Sequence, residues 1–280
     1  MQHAPSPKPA AHAGFWHDPA LPFAESRRAV RSRACYRMHT HTTLSIGVVD
    51  AGESVFTSQG LSVHLAAGAL VVVPAGCAHA CNPAPGTAWS YQMLHLDAGW
   101  ADRTLAAAGC PPWPRHALVL HDAAAYQAFD ALNQRLFSDA SAVDKAASLA
   151  RFVTGGSWRC GDALLLEPQS TGAAAVARAQ ALLQADPARA WPLPALAWPL
   201  PALAQAVGLS PRALVRALKA ATGLTPHAYQ VDLRVNAARA QLRAGNAPAD
   251  VAHGLGFYDQ SHFHRTFRQH VAATPGDYRR

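Results

Sequence analysis

Short apolar runs recur through residues 36–97. Leu44-Ser-Ile-Gly-Val-Val49, Ser62-Val-His-Leu65, Ala69-Leu-Val-Val-Val73 and Tyr91-Gln-Met-Leu-His-Leu96 are divided by turn signals at Asp50-Ala-Gly52, Gln59-Gly60, Ala67-Gly68, Pro74-Ala-Gly76 and Asn82-Pro83. Short strands at roughly 8–12-residue spacing predict an antiparallel barrel or sandwich. From Asp122 the period lengthens. Ala125, Phe129, Leu132 and Leu136, then Val143, Ala147, Ala150 and Val153, recur at three- and four-residue steps and predict helices. Gly155-Gly156 and the stretch Glu167 to Gly172 break that pattern and mark a linker.

Beyond Gly172 the pattern is helical and Ala-rich, with a first helix over Ala173–Ala185. Two copies of one unit follow, at about 201–220 and 248–269. In the first, Pro201 to Val207 is a short helix, Gly208-Leu-Ser210 a turn, and Pro211 to Ala220 a second helix with Ser210 as its N-cap. In the second, Pro248 to His253 is the short helix, Gly254 to Tyr258 the turn, and Asp259 to Gln269 the second helix. Gly208 corresponds to Gly256, 48 residues on, and Pro226 to Pro275, 49 residues on. That offset marks a duplicated supersecondary unit. Ala228 to Leu242 joins the copies as one helix, with Leu233, Ala237, Ala240 and Gln241 along its predicted stripe.

The chain has 280 residues, 50% of them hydrophobic and 15% charged, enough for two packed domains. Charge sharpens the division. Met1 to Thr171 carries twelve basic and twelve acidic residues; Gly172 to Arg280 carries twelve and five, so the whole net charge of +7 lies there. A neutral half joined to a basic half suggests a sensor or assembly domain attached to a polyanion binder. The Pro/Ala/Ser-rich residues 1–14 read as a flexible tail. No run reaches the about 18 apolar residues of a membrane span, and no signal peptide is evident. Five widely spaced cysteines fit a reducing compartment, so the expected location is the cytoplasm with no membrane partner.

A helix-turn-helix needs a short apolar-faced helix, a glycine turn, and a second helix that buries one face and offers the other to the major groove. In the first unit Leu214, Ala217 and Leu218 would face the core, while Arg212, Arg216 and Lys219 face out. In the second, Phe257, Phe263 and Phe267 would be buried, while Gln260, Ser261, His262, His264, Arg265 and Arg268 face out. Arg reads guanine edges bidentately, Gln reads adenine, and Ser or His bond base edges or phosphates. Two units on a rigid helix could enter successive major grooves of double-stranded DNA about 34 Å apart.

Residues 172–280 resemble the AraC/XylS family of transcription regulators. The match runs from Ala249 through Arg268 and ends in Thr274-Pro-Gly-Asp-Tyr-Arg279. The resemblance implies that Arg212 and Arg216 face the groove in the first unit and Gln260, Ser261, His262 and Arg265 in the second. One departure is a duplication: Trp191-Pro-Leu-Pro-Ala-Leu-Ala197 recurs residue for residue as Trp198 to Ala204. Pro199 and Pro201 oppose a continuous helix through both copies, so the first copy is predicted to loop out and the second to start the helix.

His39-Thr-His41 and Gly68 to Asn82, with Pro74, Gly76 and His79, resemble the two motifs of the cupin barrel, a sensing domain of many AraC-type regulators. The acidic ligand that cupin enzymes place after the His pair is missing, since Leu44 to Val49 holds no carboxylate. Two readings stay open here. His39, His41, Glu53, His79 and Tyr91 line an effector pocket without a cofactor, or His39, His41 and His79, with Cys81, hold a metal.

The expected architecture is a cupin-like antiparallel β-barrel over 15–120, a helical dimerisation or linker segment over 121–171, and an all-α double helix-turn-helix over 172–280. The expected function is sequence-specific, effector-responsive transcription regulation and not catalysis. The partners implied are DNA, a small-molecule effector, a second copy of the chain and, for an activator, RNA polymerase. The alternative is a metal-dependent cupin enzyme with an accessory DNA-binding domain.

Overall fold

A computed structural model describes residues 14–113, 116–155, 173–185 and 200–279. The N-terminal part has nine described strands: β1 (Gly14–His17), β2 (Ala24–Ser32), β3 (Thr43–Ala51), β4 (Glu53–Ser58), β5 (Leu61–Ala66), β6 (Ala69–Val73), β7 (His79–Asn82), β8 (Trp89–Asp97) and β9 (Leu118–His121). They form two antiparallel sheets, β1-β2-β8-β3-β6-β9 and β5-β4-β7. The fold is cupin-like, but the two sheets are separate and do not form one closed barrel.

Side-chain alternation assigns each face of the large sheet a different task. On one face Ile46, Leu70, Val72, Leu94 and Leu96 meet the helices. On the other, Val71, Val73, Trp89 and Tyr91 meet Phe56 and Leu65 of the small sheet. With both faces covered, β6 is buried at all five positions, hence its unbroken apolar run.

Three helices cover the large sheet: α1 (Ala98–Ala107), α2 (Ala123–Leu136) and α3 (Ala142–Thr154). They are capped by Asp97, Asp122 and Ser141. Phe129, Leu132, Leu136, Leu149 and Phe152 share one core with β3, β6 and β8. The helical segment expected to serve dimerisation or as a linker thus packs, through Thr154, as a layer on the large sheet. The α2 stripe is buried as predicted from its period. The α3 stripe is misphased: Val143 is 78% exposed, and Lys145, Leu149 and Phe152 turn inward with Val153. Gly14, assigned to the tail, already opens β1, and the rest of that tail lies outside the described residues.

The C-terminal part comprises α4 (Ala173–Ala185), α5 (Leu200–Ala206), α6 (Pro211–Thr222), α7 (Pro226–Arg243), α8 (Pro248–Gly254), α9 (Gln260–Val271) and α10 (Pro275–Arg279). The turn glycines of the two units, Gly208 and Gly256, both take positive φ, 72° and 69°, a conformation that costs a side-chain-bearing residue. Helix α5 starts at Leu200, inside the second Trp-Pro-Leu-Pro-Ala-Leu-Ala copy. The first copy lies outside the described residues.

Helix α7 corrects the predicted stripe. Leu233, Ala237 and Gln241 are only partly buried, and Ala240 is exposed. Tyr229 joins the core of the first unit; Val235, Ala238 and Leu242 join that of the second. A third face, Asp232, Asn236, Arg239 and Arg243, turns toward the N-terminal domain. A helix packed on several sides carries no single apolar stripe.

Candidate ligand site and nucleic-acid interface

The inner faces of β2 and β8 alternate into one cavity. Glu25 and Arg27 come from β2; Trp89, Tyr91, Met93 and His95 come from β8. The register pairs Glu25 with His95 and Arg27 with Met93. His39, His41, His79 and Cys81 line the same space, and Arg239, His270 and Tyr278 close it from the C-terminal domain. Its volume is about 70 Å³, roughly half the ~150 Å³ that accommodates benzene. A second crevice of about 520 Å³ shares Glu25, His95, Arg239 and Tyr278 with it.

The three histidines converge. One ring nitrogen from each of His39, His41 and His79 lies within 4.8 Å of the others. The Nδ1–H of His39 donates to the Arg37 carbonyl at 2.7 Å, and that of His79 to the Cys77 carbonyl at 3.0 Å. A carbonyl only accepts, so both rings carry their proton on Nδ1 and keep a lone pair on Nε2. His41 is held the other way: its Nδ1 accepts from Arg239 Nη1 at 2.6 Å. Burial pushes His39 and His41 well below the usual imidazole range; the neighbouring His79 adds to this at His39, and His95 and Arg239 at His41. Burial also lowers His79 to about 4. The cluster is therefore neutral, the form in which imidazole binds metal.

The other residues expected here divide. Tyr91 lines the cavity and shares a short hydrogen bond with Tyr36. Glu53 is exposed at the start of β4 and does not line it. Cys81 lines the cavity but stands outside the histidine cluster, bonded to Ser54 at 3.3 Å, with its thiol raised to about 11 by burial.

A carboxylate does reach the cavity, from β2 and not from the Leu44–Val49 strand. Glu25 pairs with Arg239 and, at 3.2 Å, with Arg243, and accepts from the Tyr278 hydroxyl at 2.7 Å. Burial alone would raise it, but Arg239, with His95 and Arg243, holds it well below the carboxylate range. Arg239 also donates through Nε to the Tyr278 hydroxyl at 3.1 Å. Nearby, the Thr40 amide donates to Asp232 at 3.0 Å, and Asn236 Nδ2 to the Thr40 carbonyl at 3.0 Å. Arg27 donates to the Val271 and Ala272 carbonyls at the end of α9. Glu25, Arg27, Tyr36, His95, Arg239, His270 and Tyr278 were not anticipated. The legible signal was the i, i+4, i+7, i+11 spacing of Asp232, Asn236, Arg239 and Arg243 on one helix.

In the helix-turn-helix units, Arg212, Arg216 and Lys219 of α6 are exposed, as are Gln260, Ser261, Arg265 and Arg268 of α9. The buried faces hold Leu214 and Leu218, and Phe257, Phe263 and Phe267. His262 and His264 depart from the expectation. Both are half-buried, ring-on-edge against Phe257 and Phe263 respectively. Each is in part a packing residue.

A family model described as an AraC-like ligand binding domain matches residues 28–152, and one described as a helix-turn-helix domain matches residues 203–280. The chain thus carries an AraC-like ligand binding domain followed by a helix-turn-helix domain. The first model spans α2 and α3, in line with their shared core. Among AraC-family relatives, a putative AraC-like transcription regulator of Streptomyces lividans is 35% identical over 106 residues, 38% of this chain and 33% of its own length. The HTH-type transcriptional activator RhaS of Escherichia coli K12 is 44% identical over 72 residues, 25% of this chain and 26% of its own. The matched stretch thus spans only a quarter to a third of these relatives. Solved structures of ToxT from Vibrio cholerae share the two-domain AraC fold at 10–11% identity. An apo variant has a TM-score of 0.58, covering 92% of this chain and 97% of its own. A form bound to an unsaturated fatty acid has 0.57, covering 91% and 94%. Among the described residues no helix is long and apolar enough to cross a membrane.

Proposed function

We propose that the protein is a sequence-specific DNA-binding transcription regulator that responds to a small-molecule effector. One observation carries this reading. Helix α7 joins the cores of both helix-turn-helix units and closes the ligand cavity with its polar face. A change in the cavity therefore acts on the element that spaces the two DNA-facing helices.

The cavity is small as it stands, so an effector of ordinary metabolite size enters by displacing Arg239 and joining the cavity to the adjoining crevice. The separation of β2 from α7 that follows alters how the two units engage successive major grooves. No catalytic step belongs to this reading. Dimerisation through the outer face of α2 and α3, where Val143 is exposed, brings two chains to paired half-sites. As an activator, in the manner of the relatives so named, the protein also engages RNA polymerase.

The test is a footprint on the DNA upstream of the protein's own gene. Two protected stretches about one helical turn apart, steeply salt-dependent and lost in Arg216→Ala/Arg265→Ala, are expected. Binding of equal strength on all sequences, or binding unmoved by the double variant, overturns the proposal.

A further inference from the structure

The histidine cluster and the helix that carries the DNA-binding units meet at one hydrogen bond. His39 and His79 are already arranged as ligands: each Nδ1–H is held by a backbone carbonyl, and no hydrogen bond engages either Nε2 among the described residues. Such outer hydrogen bonds orient metal-binding imidazoles and set their tautomer. His41 completes the triad in position, but its Nδ1 lone pair is engaged by Arg239. Arg239 is a donor only, so the His41 nitrogen it contacts, Nδ1, bears the lone pair, and the proton sits on Nε2. A cation takes the Nδ1 lone pair of His41 only by displacing Arg239, and takes Nε2 only if that proton moves to Nδ1. The ring remains neutral and no proton is gained or lost. Nδ1–H and the Arg239 N–H would then be two donors 2.6 Å apart, and one must move.

We propose that His39, His41 and His79 form a site for a zinc-class divalent cation whose occupation competes with the Arg239–His41 bond and so loosens α7 from the His39–His41 segment of the N-terminal domain. Three neutral imidazoles suit zinc, cobalt and nickel rather than magnesium or calcium, which prefer oxygen ligands. Three protein ligands leave a fourth position open. The adjoining 70 Å³ has room for a water or a small oxygen ligand there. Trp89, whose indole N–H has no partner among the described residues, lines the same cavity. Arg239 need not leave the interface entirely, since Glu25 and Tyr278 still hold it. What it loses is the contact that ties α7 to the segment His39-Thr40-His41, where Asp232 and Asn236 also attach. The same movement removes part of the partition between the cavity and the 520 Å³ crevice, which Arg239 also lines. The cation would thus act together with the effector.

The DNA readout of this proposal rests on the regulator reading above; the metal readouts do not. The full chain is stripped with a chelator and titrated with Co²⁺, followed by its visible absorption and by metal analysis, with Zn²⁺ as competitor. One Co²⁺ per chain is expected, with the spectrum of a four- or five-coordinate site. His79→Gln and His39→Gln, checked for an unchanged circular dichroism spectrum, should each weaken binding at least tenfold. Arg239→Gln removes the competitor and should tighten binding by threefold or more, an outcome that loss of packing would not give. Hydrogen exchange over residues 226–243 should rise on adding Zn²⁺ in the wild type and be already raised in Arg239→Gln. Absence of stoichiometric Co²⁺, or binding indifferent to both histidine variants, overturns the site. Affinity unchanged or weakened in Arg239→Gln, or exchange unmoved by Zn²⁺, overturns the coupling. Loss of DNA binding under all conditions with these metal results intact would refute the regulator reading alone.

Discussion

Single residues divide by what surrounds them. Arg265 projects from the exposed face of α9, with nothing among the described residues requiring it for packing. Arg265→Ala is expected to cost about 1–3 kcal/mol at the cognate DNA site and to relax preference at one base pair. Equal losses on every sequence, measured by competition binding, would reduce it to a phosphate contact. Asp232 shows the opposite case. Burial lifts its carboxyl to about 7 against the opposing hydrogen bonds from Thr40. The folded chain keeps this proton up to about pH 7, whereas the unfolded chain releases it near pH 4. The native state thus binds more protons between those values, and stability falls as pH rises from about 4 to about 7, by an amount on the order of 4 kcal/mol at most. In Asp232→Asn this part of the slope should vanish, as read by denaturant unfolding at pH 5 and pH 8. An identical slope in both proteins would assign the pH dependence to other groups.

Elements are held by caps and faces that can be tested separately. Ser210 and Asp259 each accept from the third amide of their helix, at 3.2 and 2.6 Å. Ser210→Ala and Asp259→Ala should each cost about 1 kcal/mol. The Asp259 change acts on the element bearing Gln260, Ser261 and Arg265, so DNA affinity should fall with the stability of α9. A thermal midpoint unchanged in Asp259→Ala would show the cap to be idle. The elements also show where local pattern suffices. Helices α4 and α6 and both turn glycines follow from period, N-cap and Gly spacing. Strand β2 was not legible because its inner face carries Glu25 and Arg27 in place of apolar residues, which erases the alternation that would reveal it. Helix α3 was misphased because alanines fit buried and exposed positions alike, leaving Val143 to mislead.

For the whole molecule, the contacts between β2, the His39–His41 segment and α7 govern how the halves communicate. Glu25→Gln leaves Arg239 and Arg243 without their carboxylate. Removing one partner of a buried pair costs about 3–5 kcal/mol. The expected result is separation of one cooperative thermal transition into two, with the C-terminal unit melting at a temperature set by its own cores. A single transition at the wild-type midpoint would mean that this pair does not couple the domains.

The chain's periodicity, its repeat of 48–49 residues and its uneven charge were enough to establish two domains, a duplicated helix-turn-helix and the outward basic faces. These depend on local spacing, and local spacing is written in the sequence. The approach of His39 and His41 to His79 was suggested by motif alone. Its closure by Glu25, Arg239, His270 and Tyr278 was decided by tertiary structure, because these residues lie up to 253 positions apart in hydrogen-bonded pairs and share no periodic pattern. The cavity's boundary is an interface, and the partners across an interface are chosen by how the two finished domains dock.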